Sequence, residues 1–429
     1  MGRRRVVGTD STWASGSATM VARTTEEPGM EQLTGPLHGA ADPRLEQIVT
    51  RLARYLRLDP DLSFQIAAYA GGRPVLDAWG GPHLRADSLM VPYSTSKNTI
   101  GVTIGLLVER GLLDLDAPVA EYWPEFGAAG KGRVTVRQLL SHQAGLPEAN
   151  PQLSWDEVLD HHAGAERLAD TTPLWFPGSA FGYHGITIGN LADELVFRVT
   201  GDTLHEVYER EVRAPLGAEF HLGLPAGMDD RRAPTLPMIP PLAEYPEPEY
   251  QPLRPLIFGP RPGGQLDAAN DERSWRFGHP AISSTASARG IARVLAGAVT
   301  GVDDGGAMLS PATVAVIGQQ QVRGWDEVLS KPDRAHAIIF QKPSEELAWG
   351  GARSFGHDGA AAQSAVSTRT PAWRSAIRSP AVRSLVAPTR GPSASPASWA
   401  RSAGSSASPT GSGRARPCRY TSSGTRSRS

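Results

Sequence analysis

An α/β (α+β) core joined to an all-helical lobe is the fold class that this 429-residue sequence predicts. Three observations lead there. Strand-like alternation stands near the start, helical spacing dominates the middle, and strand-like text returns near 337–363. No internal repeat breaks that order.

Each element has its own signal. Over 42–58, Leu45, Ile48, Val49, Leu52 and Leu56 recur at helical spacing. Residues 63–81 read as a hairpin: Phe64-Gln-Ile-Ala-Ala-Tyr, a Gly71-Gly72 turn, then Pro74-Val-Leu-Asp-Ala-Trp. After Ser94 comes Ile100-Gly-Val-Thr-Ile-Gly-Leu-Leu-Val-Glu, a helix apolar nearly all round and therefore expected to be buried. Gly111 is placed as its left-handed cap. A short helix is expected over 134–142, with Thr135 as N-cap and Gly145 as terminator. Ile188, Leu191, Leu195 and Val199 line a further helix that ends at Gly201. Residues 225–280 are Pro-rich and aperiodic, which predicts an ordered excursion or a lid rather than a second core. Thr285 or Ser287 caps the helix through Ile291, Val294 and Leu295.

Composition narrows the function classes. Residues 363–429 hold eleven Arg and no Asp, Glu or Lys, so the first 362 residues carry 32 basic against 44 acidic side chains. The overall charge of −1 thus hides an acidic body, which argues against nucleic acid as a partner. Cys418 is the only cysteine, leaving no intrachain disulfide and no cysteine metal site. No stretch approaches the ~18 apolar residues that span a bilayer. Arg3-Arg4-Arg5 leads into a polar segment rather than the apolar core of a secretory signal, so a cytoplasmic location and no membrane partner are expected. Residues 1–40 read as a disordered leader, with Met1, Met20 or Met30 as the start. Beyond 362 the text alternates Arg, Ser, Pro, Ala, Gly and Thr without an apolar period. Residues 363–429 are therefore expected to be disordered, either a basic tail or, the favoured reading, the product of a shifted reading frame.

Ser94-Thr95-Ser96-Lys97 sets a hydroxyl and an amine three residues apart at the start of a helix, on one face. A serine is a poor nucleophile until a base takes its proton, and a desolvated lysine is such a base. The chain has only four lysines (97, 131, 331 and 342) against 39 arginines, so a lysine marks a place that needs an amine able to lose its proton. The spacing alone also fits a solvated lysine near a helix start.

Further along stand Phe181-Gly-Tyr183-His184-Gly185-Ile-Thr-Ile-Gly-Asn190, after Trp175-Phe-Pro177-Gly178, and then Ser354-Phe-Gly356-His357-Asp358-Gly359-Ala360. Taken with Ser94 and Lys97, they resemble the serine β-lactamase and penicillin-binding-protein superfamily, in its class C β-lactamase-like branch of family VIII carboxylesterase-like enzymes. Gly111-Leu-Leu-Asp-Leu-Asp-Ala-Pro118, Leu139-Leu-Ser-His142-Gln-Ala-Gly145-Leu-Pro147 and Gly350-Gly351 share the resemblance, which covers roughly 44–362. Read singly, Tyr183 is a packed core tyrosine and His357 a loop histidine; the ordered set of motifs decides otherwise.

The resemblance implies a β-lactamase/transpeptidase-like domain over 41–362, a central antiparallel sheet flanked by helices plus the helical lobe. The C-terminal strands and helix that complete such a sheet are expected to be lost with the altered tail, leaving an open edge. The resemblance further implies Ser94 as the acylated nucleophile and Lys97 as its base. Tyr183 would share the proton transfer, its pKa lowered from about 10 by the nearby cation. His357, Gly359 and Ala360 would border the substrate, the Ala360 N–H joining that of Ser94 in an oxyanion hole. It implies no cofactor and no metal.

Two departures favour one branch. The family's β-lactamases carry Asn two residues after the tyrosine, where this chain has Gly185, and a Lys where it has His357. Both losses remove polar recognition of a β-lactam and keep the acyl-transfer machinery. An esterase on short-chain esters is therefore expected, with a small-molecule ester or amide as substrate and the oligomeric state left open. A β-lactamase, a D-alanyl peptidase-like penicillin-recognising protein and an inactive truncated product are the alternatives. No Gly-x-Ser-x-Gly occurs, which argues against an ordinary α/β-hydrolase. His184 has no role at this level.

Overall fold

The structure is a computed structural model that describes residues 29–236, 251–262, 267–359, 363–368 and 382–386. In chain order its strands are β1 (Glu31–Gln32), β2 (Leu37–Ala41), β3 (Phe64–Ala70), β4 (Arg73–Gly80), β5 (Phe220–His221), β6 (Thr285–Ala286) and β7 (Val322–Asp326). β8 (Lys331–His336), β9 (Ser354–Gly359), β10 (Gln363–Thr368) and β11 (Val382–Val386) follow. The helices that position the site are α1 (Glu46–Leu58), α2 (Lys97–Glu109), α3 (Val136–Leu140), α4 (Thr187–Thr200) and α5 (Ala288–Val299).

The 63–81 hairpin is the spine of a seven-stranded sheet in the order β1-β2-β4-β3-β11-β10-β9, antiparallel at every pairing. Gly71 and Gly72 turn it with φ of +57° and +83°, the left-handed pair a two-residue type I′ turn demands. Alternation along β3 then sorts its side chains. Phe64, Ile66 and Ala68 pack with Leu52 and Leu56 of α1, while Ala67 and Tyr69 face the main core. Burying a leucine such as Leu52 contributes about 1.5–3 kcal/mol. On the second face lies α5, begun by Ser287, whose side chain accepts the Gly290 N–H at 3.0 Å. Thr285, the other candidate cap, lies in β6.

α2 is buried from Lys97 through Leu107, as its all-round apolar text predicts, and Gly111 follows it at φ +67°. At Gly101 a Cβ would stand 2.2 Å from the Phe340 ring, so glycine lets the helix close on that aromatic. α3 carries the expected Thr135 cap, paired reciprocally with Gln138, and α4 ends at Gly201 with φ +79°. Among the described residues no helix is long and apolar enough to cross a membrane.

Four expectations are corrected. β1 and most of β2 lie inside the expected leader, because Leu37 and Ala41 bury against α1 although the strands are too short to show a period. β10 and β11 lie in the expected disordered tail, so the strands thought lost are present there. The ladder to β9 on one side and β3 on the other organises two short segments whose own text carries no sustained apolar period. The remainder of the tail, including any C-terminal helix, lies outside the described residues. Residues 337–341 are not a strand; Ile339 turns at φ +64° and its N–H bonds Leu140 O at 2.7 Å. Finally, α3 stops at Leu140, and His142 at φ +65° makes the left-handed turn before Gly145 is reached.

Candidate active site

Ser94 sits in a single 3₁₀ turn, Tyr93–Ser96, that runs directly into α2. Tyr93 is held at φ +46°, a left-handed conformation that costs a bulky residue about 1 kcal/mol or more. That strain fixes the direction in which the next side chain leaves the backbone. One helical turn later Lys97 reaches back, its Nζ 3.1 Å from Ser94 Oγ.

Lys97 is completely buried, and its other partners are the carbonyl oxygens of Gly185 at 2.7 Å and Ala281 at 2.9 Å. Burial drives its pKa well below the ordinary 10.5, opposed only by the Asp358 charge. A neutral amine has two N–H groups and one lone pair. The two carbonyls take the two N–H groups, which aims the lone pair at the Ser94 hydroxyl.

Tyr183 arrives from the segment before α4 and places its hydroxyl 2.8 Å from Ser94 Oγ as a donor. The expectation of a lowered tyrosine pKa is overturned: burial raises it well above 10. The same desolvation that buries the phenol strips Lys97 of the charge that was to favour a phenolate. Its ring lies 5.0 Å from Lys97 Nζ. The backbone N–H of Tyr183 is held by Asp326 Oδ1 at 3.1 Å, and that oxygen also accepts from Val328 and Leu329. Asp326 went unnoticed in the sequence, where no motif surrounds it.

Histidines brace this segment. His184 donates from Nδ1 to Gly182 O at 2.6 Å and accepts the Leu146 N–H at Nε2 at 2.8 Å. Both nitrogens being spoken for, its ring is neutral, and burial lowers its pKa to about 4. His142 accepts the His184 N–H at Nδ1 at 3.2 Å, and its own carbonyl takes the Gly182 N–H at 3.1 Å. The role missing for His184 is thus to lock the loop that presents Tyr183.

His357 lies in β9, completely buried, its ring 5.9 Å from that of Tyr183 and its Nδ1 2.6 Å from Asp358 O. Burial holds it well below its usual pKa, so it is a neutral ring. Gly359 ends the same strand opposite Gln363. Ala360, the expected second oxyanion donor, lies outside the described residues. Ser94, Lys97, Tyr183 and His357 are therefore brought together.

Ile257, from the Pro-rich region, was not foreseen. A Cβ at Gly185 would stand 2.6 Å from Ile257 Cγ2 and 3.1 Å from Tyr183 Cε1, so an isoleucine fills the space where a side chain at 185 would go. A buried ion pair behind it, Arg261 to Glu148 at 2.6 Å, clamps the segment, with the guanidinium 5.2 Å from the Trp155 ring.

A hydroxyl held between a buried amine and a neutral phenol, beside a sheet strand, is an arrangement that can activate a serine for acyl transfer. The chain belongs to the beta-lactamase family, whose profile matches residues 52–375. That match runs past residue 362, where the resemblance had been expected to stop, and takes in β10. The esterase/beta-lactamase LipL of Mycobacterium tuberculosis is 39% identical over 198 residues, covering 44% of this chain and 45% of that protein. The chain thus matches about half the length of such relatives. Among solved structures, EstA from Arthrobacter nitroguajacolicus Rue61a superposes with a TM-score of 0.74 at 34% identity, covering 88% of this chain and 97% of that one. A family VIII carboxylesterase gives 0.73 at 28% identity over 83% and 95%.

Proposed function

We propose that the chain is a serine esterase that cleaves small carboxylic esters through an acyl-enzyme on Ser94. The observation that carries this reading is the coordination of Lys97: two carbonyls fix its N–H groups and leave its lone pair for the Ser94 proton. In the first half-reaction that proton passes to Nζ while Oγ bonds to the acyl carbon. The tetrahedral intermediate then collapses, the C–O bond to the alcohol breaks, and the leaving oxygen takes a proton from the Tyr183 hydroxyl, which the Lys97 ammonium replaces. Water repeats the sequence in reverse, releasing the acid and restoring the serine. His357 and Gly359 border the acyl group, and the Ala360 N–H is assigned to the oxyanion.

Ester rather than β-lactam is supported by what surrounds the triad. Ile257 lies over Gly185, and His357 is neutral and buried, so position 185 offers no side-chain amide and position 357 no cation to an antibiotic. Each missing charge-assisted hydrogen bond is worth about 1.5–3 kcal/mol, or roughly ten- to a hundredfold in rate. The names of the relatives, an esterase/beta-lactamase and a family VIII carboxylesterase, agree with it. β10 beside the site strand, with β11 joining it to β3, favours an active enzyme over an inactive product. A cytoplasmic location belongs to the same reading. Turnover of a short-chain aryl ester and of a cephalosporin by the purified protein tests it. The ester should win by at least tenfold in kcat/KM, and equal efficiency would overturn the assignment.

A further inference from the structure

Away from Ser94, three side chains of the helical lobe converge on one point. His161 comes from the turn before the helix Ala163–Asp170, Asp193 from α4, and His205 from the helix Leu204–Tyr208. One ligand atom of each lies within 4.8 Å of the other two. Asp193 is buried, and its Oδ1 accepts the Leu204 N–H at 2.7 Å. Its Oδ2 faces both rings, 2.7 Å from His161 Nδ1 and 3.9 Å from His205 Nδ1.

The tautomer of His205 is set by the backbone. Its Nε2 stands 3.1 Å from the carbonyl oxygens of Phe277 and Gly278, which only accept, so Nε2 carries the hydrogen. In the neutral ring Nδ1 is then a lone pair, and it is buried with no hydrogen-bond partner. It faces a carboxylate oxygen across 3.9 Å. Two lone pairs so placed repel, and the arrangement becomes favourable only with positive charge between them. A proton on Nδ1 is one candidate, but at 3.9 Å the Asp193 oxygen is beyond hydrogen-bond reach of it. A metal ion is the other.

We propose that His161, Asp193 and His205 form a binding site for a divalent transition-metal ion, best matched by zinc. Two imidazole nitrogens and one carboxylate oxygen suit zinc at about 2.0–2.2 Å and suit magnesium or calcium poorly, since those prefer all-oxygen shells. The Phe277 and Gly278 carbonyls orient His205 from behind, as carbonyls do for metal-bound imidazoles. His161 is a third exposed, so its ring can turn and its Nδ1 proton can move to a water-facing Nε2. The remaining positions take water. Such an ion cross-links three segments of the helical lobe and has no part in the chemistry at Ser94.

The test uses the purified full chain after dialysis against a chelator. Titration with zinc chloride in a calorimeter should show one ion per chain and raise Tm, and cobalt(II) should produce visible d–d absorption. Asp193→Asn keeps the acceptor for Leu204 and should weaken zinc binding by tenfold or more. His161→Ala, at the most exposed of the three positions, is the deciding variant and should do the same. Fluorophosphonate labelling of the wild type should be equal with and without zinc. Absence of saturable 1:1 binding, or undiminished affinity in His161→Ala, would overturn the proposal.

Discussion

Lys97 Nζ stands 3.1 Å from Ser94 Oγ inside the protein, and no carboxylate is among its hydrogen-bond partners there. Two backbone carbonyls replace the counter-ion a buried lysine ordinarily needs. Burial without a hydrogen-bonded carboxylate disfavours the ammonium, and the behaviour of the site follows from it.

Lys97 and Tyr183 both contact the same oxygen and act as one proton-transfer unit. Lys97→Ala and Tyr183→Phe should each lower the acylation rate by two orders of magnitude or more, while the double variant should lose little beyond the worse single one. Pre-steady-state acylation of an aryl ester measures this. Losses that multiply would separate the two roles.

Because Lys97 must be neutral to accept the proton, kcat/KM should rise with pH through its depressed pKa and level off well short of 10.5. The stability linkage has the same origin. Between the folded and unfolded pKa values the unfolded chain binds the extra proton, so this residue costs stability at neutral pH and the cost fades as pH approaches 10.5. Lys97→Met should therefore raise Tm at pH 7 relative to wild type, with the gain shrinking towards pH 10. A gain that is constant with pH, or absent, contradicts a neutral Lys97.

Asparagine at position 185 cannot simply be restored. Gly185→Asn meets Ile257 and should cost about 1–3 kcal/mol by overpacking, without creating cephalosporin turnover. Pairing it with Ile257→Ala should recover stability and raise cephalosporin turnover while ester hydrolysis survives. His357→Lys is a poor route to the same end, since it would bury a second amine beside Lys97. If Gly185→Asn alone is as stable as wild type by urea unfolding, Ile257 does not fill that space.

The segment carrying Ile257 is held by Arg261 and Glu148, both essentially buried. Glu148→Gln leaves the guanidinium charge unpaired and should cost about 3–5 kcal/mol in urea unfolding. A cost below 1 kcal/mol would mean that the pair is not a clamp.

Much of this was legible from local text. The hairpin at Gly71-Gly72, the buried run of α2 and the caps at Thr135 and Gly201 rest on neighbouring residues, and local physics decides them. Ser94, Lys97, Tyr183 and His357 were found through motif order, because nothing within one motif says that it meets another. Lysine scarcity was a weaker guide than supposed. Lys131 and Lys342 are also buried, with Nζ on the carbonyls of Thr171 and of Gly318 and Ala352 respectively. Asp326 and Ile257 were invisible because each reaches the site only through packing between distant segments. β10 and β11 were missed for a related reason: their partners in the sheet, rather than their own apolar period, make them strands.

The central claim is that Ser94 is the acylated nucleophile. Incubating the wild-type chain and Ser94→Ala with a serine-reactive fluorophosphonate, then mapping the adduct by peptide mass spectrometry, tests it most directly. The adduct should sit on Ser94, vanish in Ser94→Ala and form far more slowly in Lys97→Ala. Labelling that persists undiminished in Ser94→Ala, or that maps to another residue, would contradict the account.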